Sequence, residues 1–580
     1  MIETSREKID GRTADRNNDR FHGHLDLAAV PIALLGFGVR LWTASGTFLN
    51  PDEALHFYLA NQTSLARAYR ASLTAAHPPL LTFLLYFWRA LGTSELWLRL
   101  PSVLAGAVFC WMFYKWLSKT AGGLAGLIGL LFVALLPPIV RIAAEIRQYS
   151  LLLAFLASAL YFLDEAFAKN SITRMAAFSL CLYLGLMVHY SAFWFAAALG
   201  LYALFRVITE RPPITLVSAW ALGQLGGLAL AAFFYITHLS KLGVQQSKTA
   251  LQGWMSEHYL RRSFFDPAHD NLLKFPVGHT FGVFQYFAGQ LAAGDILGLL
   301  FFVGVTLLLS GKAFPEDRIA SRRLGIFLLL PFAVAIAANF AHLYPYAGTR
   351  HIAFLIVPGV AGVSVAIARL SAALSKASPR RSWASGLAIA GLVVAAAVAF
   401  GKLRQPTMNR ADQSRKNMMA AMQFVRQNMA PSDFIFIDYQ TDLILGHYLC
   451  RQRPIPFEAA PANFEQFSCD GHRIVSADYK THWNFSDEDF PQAWQEVTHA
   501  YNLKPAQTVW ICQTGWGANL PEDLRSHYAE FQNLRFQSFG NNIKIFKLSA
   551  GQPMPAPVRF QSSRVSRSGA MKFERTARSH

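Results

Sequence analysis

The chain has 580 residues, 53% of them hydrophobic and 13% aromatic, but only 15% charged, where an average soluble domain carries roughly a quarter. With a mean hydropathy of +0.26, this composition excludes a disordered chain, a disulfide-dense miniprotein and an ordinary cytosolic enzyme, and fits a polytopic membrane protein with length to spare for a soluble domain. Lys+Arg number 53 against 35 Asp+Glu, a net charge of +18; such an excess belongs in cytoplasmic loops and against anionic headgroups, which makes membrane lipids expected partners and nucleic acid not.

Residues 1–24 are polar, with Arg6, Lys8, Arg12, Arg16 and Arg20, and lack a short apolar core followed by a small-residue cleavage site. They read as a cytoplasmic tail, not a signal peptide. The first span is expected over Leu27–Leu49 and contains Arg40. Further apolar stretches follow at Leu98–Leu117, Leu124–Pro138, Leu151–Phe167, Met175–Val188, Ser191–Phe205, Ile214–Thr237, Thr280–Leu309, Leu324–Ala341, Ile352–Leu370 and Leu387–Phe400. At about 20 residues per crossing, that is about 11 spans, give or take two. Basic loops (Lys115 and Lys119, Lys169 and Arg174, Arg206 and Arg211, Lys312 to Arg323, Lys376 to Arg381) alternate with loops poor in cations. Placing the basic set in the cytoplasm puts the amino terminus inside and Thr43–Glu95, Pro138–Tyr149, Leu239–His279 and His342–Arg350 outside. An odd number of spans puts everything after Lys402 outside as well.

Beyond Arg404 the composition changes. Ser414–Met429 has the spacing of an amphipathic helix, ended by Pro431–Ser432, and β-rich runs follow at Phe434–Ile437, Val509–Cys512 and Ile543–Phe546. A small mixed α/β domain is expected over residues 403–550, with a Pro-, Ser- and Arg-rich tail over 551–580 that reads as disordered. The five cysteines (Cys110, Cys181, Cys450, Cys469, Cys512) are too few for a disulfide framework and lack zinc spacing. Outside the cytoplasm Cys450 and Cys469 could pair, or remain two buried thiols.

The loops assigned to the outer face carry the chemistry. Directly after the first span comes Asn50-Pro51-Asp52-Glu53-Ala54. Carboxylates at the edge of hydrocarbon need a partner or a task; after a proline they also suit a helix amino terminus, and both can hold. The same loop reaches His77-Pro78-Pro79-Leu80, where two prolines can set a helix start and hold His77 at its mouth. The second loop runs from Pro137-Pro138 through Arg141, Glu145 and Arg147 to Tyr149. On a helix Arg141 pairs with Glu145, and Glu145 with Tyr149, leaving Arg147 for an anion. The bland alternative is a pair of snorkelling cations. Tyr344-Pro345-Tyr346 leads to Arg350 and His351 at the start of another span, and His189-Tyr190 sits between two spans, where a lone histidine is more often structural. Acids beside phosphate-binding cations on one side of a bundle suit a reaction on a lipid-linked phosphate: a carboxylate accepts the proton of an attacking hydroxyl, and cations stabilise the departing phosphate. No nucleotide fingerprint is present.

With Asp52-Glu53, His77-Pro-Pro-Leu80 and Glu145-Ile-Arg147-Gln-Tyr149 in place, residues 28–370 resemble the membrane-embedded GT-C glycosyltransferases, nearest the protein O-mannosyltransferases and the bacterial lipid A aminoarabinose transferases. The resemblance implies a GT-C module over residues 25–402, followed by an extracytoplasmic domain. It also implies inverting transfer of a sugar from a polyprenyl-phosphate donor to a hydroxyl of a lipid, glycan or protein acceptor, in a bacterial inner membrane. By that resemblance Asp52 is the general base, Glu53 assists, and His77, Arg147 and Arg350 contact phosphate, with Glu145, Tyr149 and His351 in the same substrate site. The aminoarabinose enzymes have Arg-Tyr where this chain has Leu55 and His56, and Glu-Lys-Pro-Pro where it has Ala76-His77-Pro78-Pro79. Their sugar and acceptor therefore do not carry over, and no metal or other cofactor is expected. Two other readings stand beside this one. A transporter or flippase would line a path with the same charges, although transporters favour mid-span charges and inverted repeats. An assembly scaffold leaves Asp52, His77 and Arg147 unexplained.

Overall fold

The structure, a computed structural model, describes residues 26–241, 260–374, 379–400, 412–450, 463–478 and 482–554. The cytoplasmic tail expected over residues 1–24 and nearly all of the basic tail lie outside the described residues. The chain divides near residue 407 into two compact units.

The first unit is a multi-pass membrane bundle. Among the described residues nine helices are long and apolar enough to cross a bilayer: Asp26–Ala44, Glu95–Ala121, Tyr149–Lys169, Ala192–Glu210, Ile214–Leu239, Leu291–Leu309, Arg318–Phe340, Arg350–Leu374 and Arg381–Phe400. Three apolar helices are shorter: Leu80–Leu91, Gly123–Leu135 and Ile172–Val188. Two of these account for the expected spans at Leu124–Pro138 and Met175–Val188. The stretch read as one span over Thr280–Leu309 is two helices, Lys274–Ala288 and Leu291–Leu309, separated at Gly289 with φ +69°. Left-handed backbone there suits glycine and ends the first helix.

Arg350–Leu374 is the axis of the bundle, with 94% of its apolar window buried. It packs against Leu291–Leu309 through Gly304 and Gly362: a Cβ on Gly304 would lie 2.1 Å from the Gly362 carbonyl oxygen. Small residues allow that backbone approach where lipid supplies no hydrophobic drive. At the other extreme, only 11% of the window of Ile214–Leu239 is buried, so this helix lies at the periphery.

Arg40 explains itself through two prolines. Helix Gly123–Leu135 runs into Pro137 and Pro138, which have no N–H to bond the carbonyls of Val133 and Ala134. The fully buried Arg40 guanidinium replaces them, donating from Nη2 to Val133 O at 2.6 Å and from Nη1 to Ala134 O at 2.9 Å. A third bond, from Nη1 to Gly36 O at 3.0 Å, closes the arrangement within its own helix. A cation inside the first span is thus a cap for the helix beside it.

The second unit is a six-stranded mixed sheet, strand order β2-β3-β1-β4-β6-β5. The strands are β1 (Phe434–Ile437), β2 (Phe464–Cys469), β3 (His472–Ala477), β4 (Thr508–Thr514), β5 (Phe536–Ser538) and β6 (Ile543–Ser549). β1, β3 and β4 run parallel, and antiparallel β2 and β6 flank them. The expected amphipathic helix spans Arg415–Asn428, capped by Ser414 and burying Met418, Ala421, Met422 and Val425, one face at helical spacing. The three strands read from the sequence are β1, β4 and β6. β2 and β3 escaped because exposed Gln466, Ser468 and Arg473 interrupt their apolar residues. Cys450 and Cys469 form a disulfide, with Cα atoms 5.0 Å apart.

Arg40→Met should leave the Ala134 carbonyl unpaired in apolar surroundings and Val133 O with only the weak thiol donor of Cys110 at 3.7 Å, at about 1–3 kcal/mol for each lost charged bond. The purified variant should show a lower midpoint of thermal aggregation in detergent than wild type. An unchanged midpoint would mean that Arg40 is not the cap.

Candidate active site

The site is assembled on a small helix, Pro51–Ala60. Asn50 caps it: its side chain accepts from Glu53 N at 3.0 Å, and Glu53 Oε2 accepts from Asn50 N at 3.0 Å, with Pro51 at the first helical position. The capping expected of Asp52-Glu53 is present, and Glu53 provides it. Glu53 is fully buried, and both its oxygens are also claimed by Arg99, Nε to Oε1 and Nη2 to Oε2, each at 2.7 Å. Oε1 takes a further bond from Ile146 N at 3.0 Å. With four donors on two oxygens, Glu53 has no lone pair left for a substrate. It is a strut, and the assistance expected of it beside Asp52 takes the form of holding the helix that carries Asp52.

Arg99 carries the strut outward. Its Nη1 donates to Ala44 O, Thr47 O and Thr47 Oγ1 at 2.8, 3.0 and 2.8 Å, and its Nη2 to Phe48 O at 2.9 Å. The Glu53–Arg99 pair thus joins the end of the first span, the Pro51 helix, the Ile146 turn through Glu53, and helix Glu95–Ala121. A buried pair is stable only when its remaining donors and acceptors are satisfied, as here.

The loop from Pro137 differs from the continuous helix expected of it. Helix Pro137–Ile142 stops after six residues, and the next helix starts at Tyr149. Arg141 Nε still reaches Glu145 Oε1 at 3.1 Å, but no helix runs from Glu145 to Tyr149, so that pair does not form. The break turns Arg147 inward, where Ser102 Oγ donates to its carbonyl at 3.1 Å. Arg147 is therefore not left over for an anion: its Nη2 lies 2.6 Å from Asp52 Oδ2. Arg350, at the head of the axial helix, places Nη2 2.9 Å from the same oxygen. Three loops that the charge pattern assigns to one face converge on one carboxylate. Burial raises the pKa of Asp52, but Arg147, Arg350 and His56 together outweigh it and hold the carboxyl below its ordinary value.

Beside this pair lie imidazoles. His56 and His77 have ring centroids 5.7 Å apart, His77 and His189 5.3 Å, and His189 and Tyr149 5.1 Å. Pro79 caps helix Leu80–Trp88, so the prolines do set a helix start just after His77. Burial and the neighbouring Arg147 push His56 down to about 3, and burial with Arg147 and Arg350 does the same to His189. His77 is held well below its usual value by burial and by His189. Arg147 Nη1 approaches His56 Nε2 at 3.5 Å, and Ser191 N donates to His189 Nδ1 at 3.0 Å, so those two nitrogens act as acceptors. His351 lies near enough to oppose protonation of His77, and its Nδ1 is 3.3 Å from Thr349 Oγ1. Among the described residues no group of acids, histidines and cysteines is arranged to hold a metal ion.

Arg147, Tyr149, Glu145 and Arg350 also line a cavity of about 670 Å³, within the size of a small-molecule site. A far smaller void of about 10 Å³, lined by His56, His77 and Gln148, has room for about one water. Gln148 is fully buried with neither end of its amide bonded. Sequence reading missed Gln148 and Arg99. Arg99 carried a signal, a cation inside an apolar stretch; Gln148 carried none.

Residues 76–237 match the family model described as dolichyl-phosphate-mannose-protein mannosyltransferase, a segment that includes His77, Arg147, Tyr149 and His189. The chain resembles a membrane-embedded GT-C glycosyltransferase. Among solved structures it is similar to ArnT from Cupriavidus metallidurans bound to undecaprenyl phosphate, at 14% identity and a TM-score of 0.48 over 91% of this chain and 99% of that one. It is also similar to the oligosaccharyltransferase AglB from Archaeoglobus fulgidus in complex with an inhibitory peptide and a dolichol-phosphate, at 13% identity and a TM-score of 0.46 over 84% of this chain and 69% of that one. No curated protein matches the sequence.

Two outcomes follow from this geometry. Glu53→Gln should destabilise the protein by about 3–5 kcal/mol, the cost of leaving one partner of a buried pair alone, read as lost monodisperse yield in detergent; a well-folded Glu53→Gln protein would refute the strut. The histidines give a pH signature. Their pKa values in the folded protein lie below the unfolded value of 6.5, so the unfolded state binds more protons below it. Stability should therefore fall as pH drops from about 6.5 toward about 3. His56→Gln should flatten that fall in apparent Tm.

Proposed function

We propose that the protein is a glycosyltransferase that moves a sugar from a polyprenyl-phosphate donor to an acceptor hydroxyl, with inversion. The observation that carries this reading is the carboxylate of Asp52 paired with Arg147 and Arg350, two guanidiniums that line a ligand-sized cavity; the family match over residues 76–237 supports it.

The chemistry distributes as follows. The acceptor hydroxyl forms a bond to the anomeric carbon while the bond from that carbon to the phosphate oxygen breaks. Asp52 takes the hydroxyl proton, and the electron pair leaves with the polyprenyl phosphate. Arg147 and Arg350 neutralise the charge that gathers on it, Arg with the planar fork that suits phosphate. His56, His77 and His189 enter as neutral imidazoles, able to hydrogen-bond but adding no charge. Tyr149, 5.8 Å from the Arg147 guanidinium through its ring face, fixes that cation.

In the empty protein the two arginines also mask the base: an ion-paired carboxylate is a weak proton acceptor. A donor phosphate competes for the same guanidiniums. As it engages them, Asp52 loses its counter-charges, its pKa rises, and it becomes a better base at the moment the donor is in place.

The alternation of basic and cation-poor loops supports placing this face outside the cytoplasm and the amino terminus inside, and the family resemblance supports a bacterial inner membrane. The disulfide in the second unit agrees with an oxidising compartment for that unit.

The test offers purified protein a panel of radiolabelled polyprenyl-phosphate sugars with a crude envelope extract. Label should leave the donor in wild type and remain on it in Asp52→Asn, with the variant's elution profile unchanged. Arg147→Lys, which keeps the charge and loses the fork, should retain residual transfer. The pH–rate profile should show no inflection near 6.5, because the buried histidines stay neutral, and should lose activity only at acid pH as Asp52 is protonated. Folded protein that releases no sugar from any donor would point to a transporter.

A further inference from the structure

The cavity of about 670 Å³ carries more cations than the Asp52 cluster uses. Arg141, Arg147, Arg262, Lys274 and Arg350 line it, against the carboxylates of Glu145 and Asp270. Glu145 is matched by Arg141, and Arg147 with Arg350 by Asp52. Asp270 spends Oδ2 on Asp266 N at 2.9 Å, closing its own turn. Among the described residues Arg262 and Lys274 have no carboxylate within ion-pair distance.

A donor phosphodiester bears one negative charge, which Arg147 and Arg350 already answer. In an inverting substitution the acceptor enters opposite the leaving phosphate, so a charge on the acceptor must be held away from that pair. Gly278, on helix Lys274–Ala288, helps keep the space open: a Cβ there would meet nothing within 4 Å.

We propose that this cavity binds the acceptor through an anionic group on it, phosphate or carboxylate, held by Arg262 and Lys274 with Arg141 alongside. The proposal rests on the transfer reading for the word acceptor. The second anion site itself stands on the cavity and its unmatched cations.

The experiment uses full-length protein in detergent, with glycerol 3-phosphate as the anionic probe, acetate as the carboxylate probe and glycerol as the uncharged control, followed by calorimetry. Protein first saturated with undecaprenyl phosphate, which occupies the Asp52 arginines, should still bind glycerol 3-phosphate and not glycerol. Acetate binding alongside it would extend the class to carboxylates, and its absence would narrow the acceptor group to phosphate. Arg262→Gln with Lys274→Gln should weaken probe binding at least tenfold, since each is a charge-assisted contact. Gly278→Leu, which fills the space and favours the helix, should do the same without removing a charge. In turnover the double variant should raise KM for the acceptor and leave KM for the donor unchanged. The proposal is overturned if wild type binds neither anion, if undecaprenyl phosphate abolishes probe binding, if the double variant binds as well as wild type, or if donor KM rises instead. Absence of Asp52-dependent sugar release would remove the transfer reading, while the calorimetry would still decide whether the anion site exists.

Discussion

The pair between Glu53 and Arg99 holds the candidate site together. Both side chains are almost wholly removed from solvent, at 0% and 1% exposure, and ions buried so deeply destabilise a fold unless every donor and acceptor is used. Here they are used on separate pieces of chain. Glu53 binds the start of its own helix and the Ile146 turn, and Arg99 binds the carbonyls that end the first span. The residue before Glu53 is Asp52, and the residue after Ile146 is Arg147. One buried ion pair thus fixes the backbone beside both members of the Asp52–Arg147 pair, of which Arg147 lines the cavity.

Arg40 and Arg99 show a common use of arginine in this bundle. Each lies in or beside a spanning helix, where a bare cation is costly, and each binds backbone carbonyls, Arg40 those of Gly36, Val133 and Ala134 and Arg99 those of Ala44, Thr47 and Phe48. At Arg40 the unpaired carbonyls arise from Pro137 and Pro138. The same prolines begin the short helix that breaks after Ile142 and lets Arg147 turn inward. The proline pair therefore has two consequences: it creates acceptors that Arg40 must fill, and it stops the loop from continuing as one helix.

How much of this was legible in the sequence follows from the range of each interaction. Spans, the Ser414 helix and strands β1, β4 and β6 were readable because hydrophobic periodicity is local. Asp52, His77, Arg147 and Arg350 were readable as a group because the charge rule sorts loops by face before any contact is known. The ion pairs of Glu53 and Arg147 were not legible: an i,i+4 rule presumes a helix, and the chain breaks at Ala143. Their true partners, Arg99 and Asp52, lie 46 residues from Glu53 and 95 from Arg147, beyond the reach of any local pattern. His56 was visible only as a departure from a familiar motif, yet it stands beside Arg147.

Masking has a consequence for a transferase that uses a water-stable lipid donor. A base that is strong in the empty site would activate water as readily as an acceptor, and hydrolysis would waste the donor. Sharing Asp52 Oδ2 between two guanidiniums at 2.6 and 2.9 Å keeps it weak until something takes the guanidiniums away. On the proposed reading the donor phosphate meets that condition, but by itself it would still expose an activated base to water, and what protects the donor then is occupancy of the adjoining cavity. An acceptor anchored there by its own charge displaces water from the side on which the hydroxyl must enter. If donor and acceptor have the different anchors proposed, the same separation of cations also sets the order of events: the phosphate unmasks the base, and the acceptor supplies its proton.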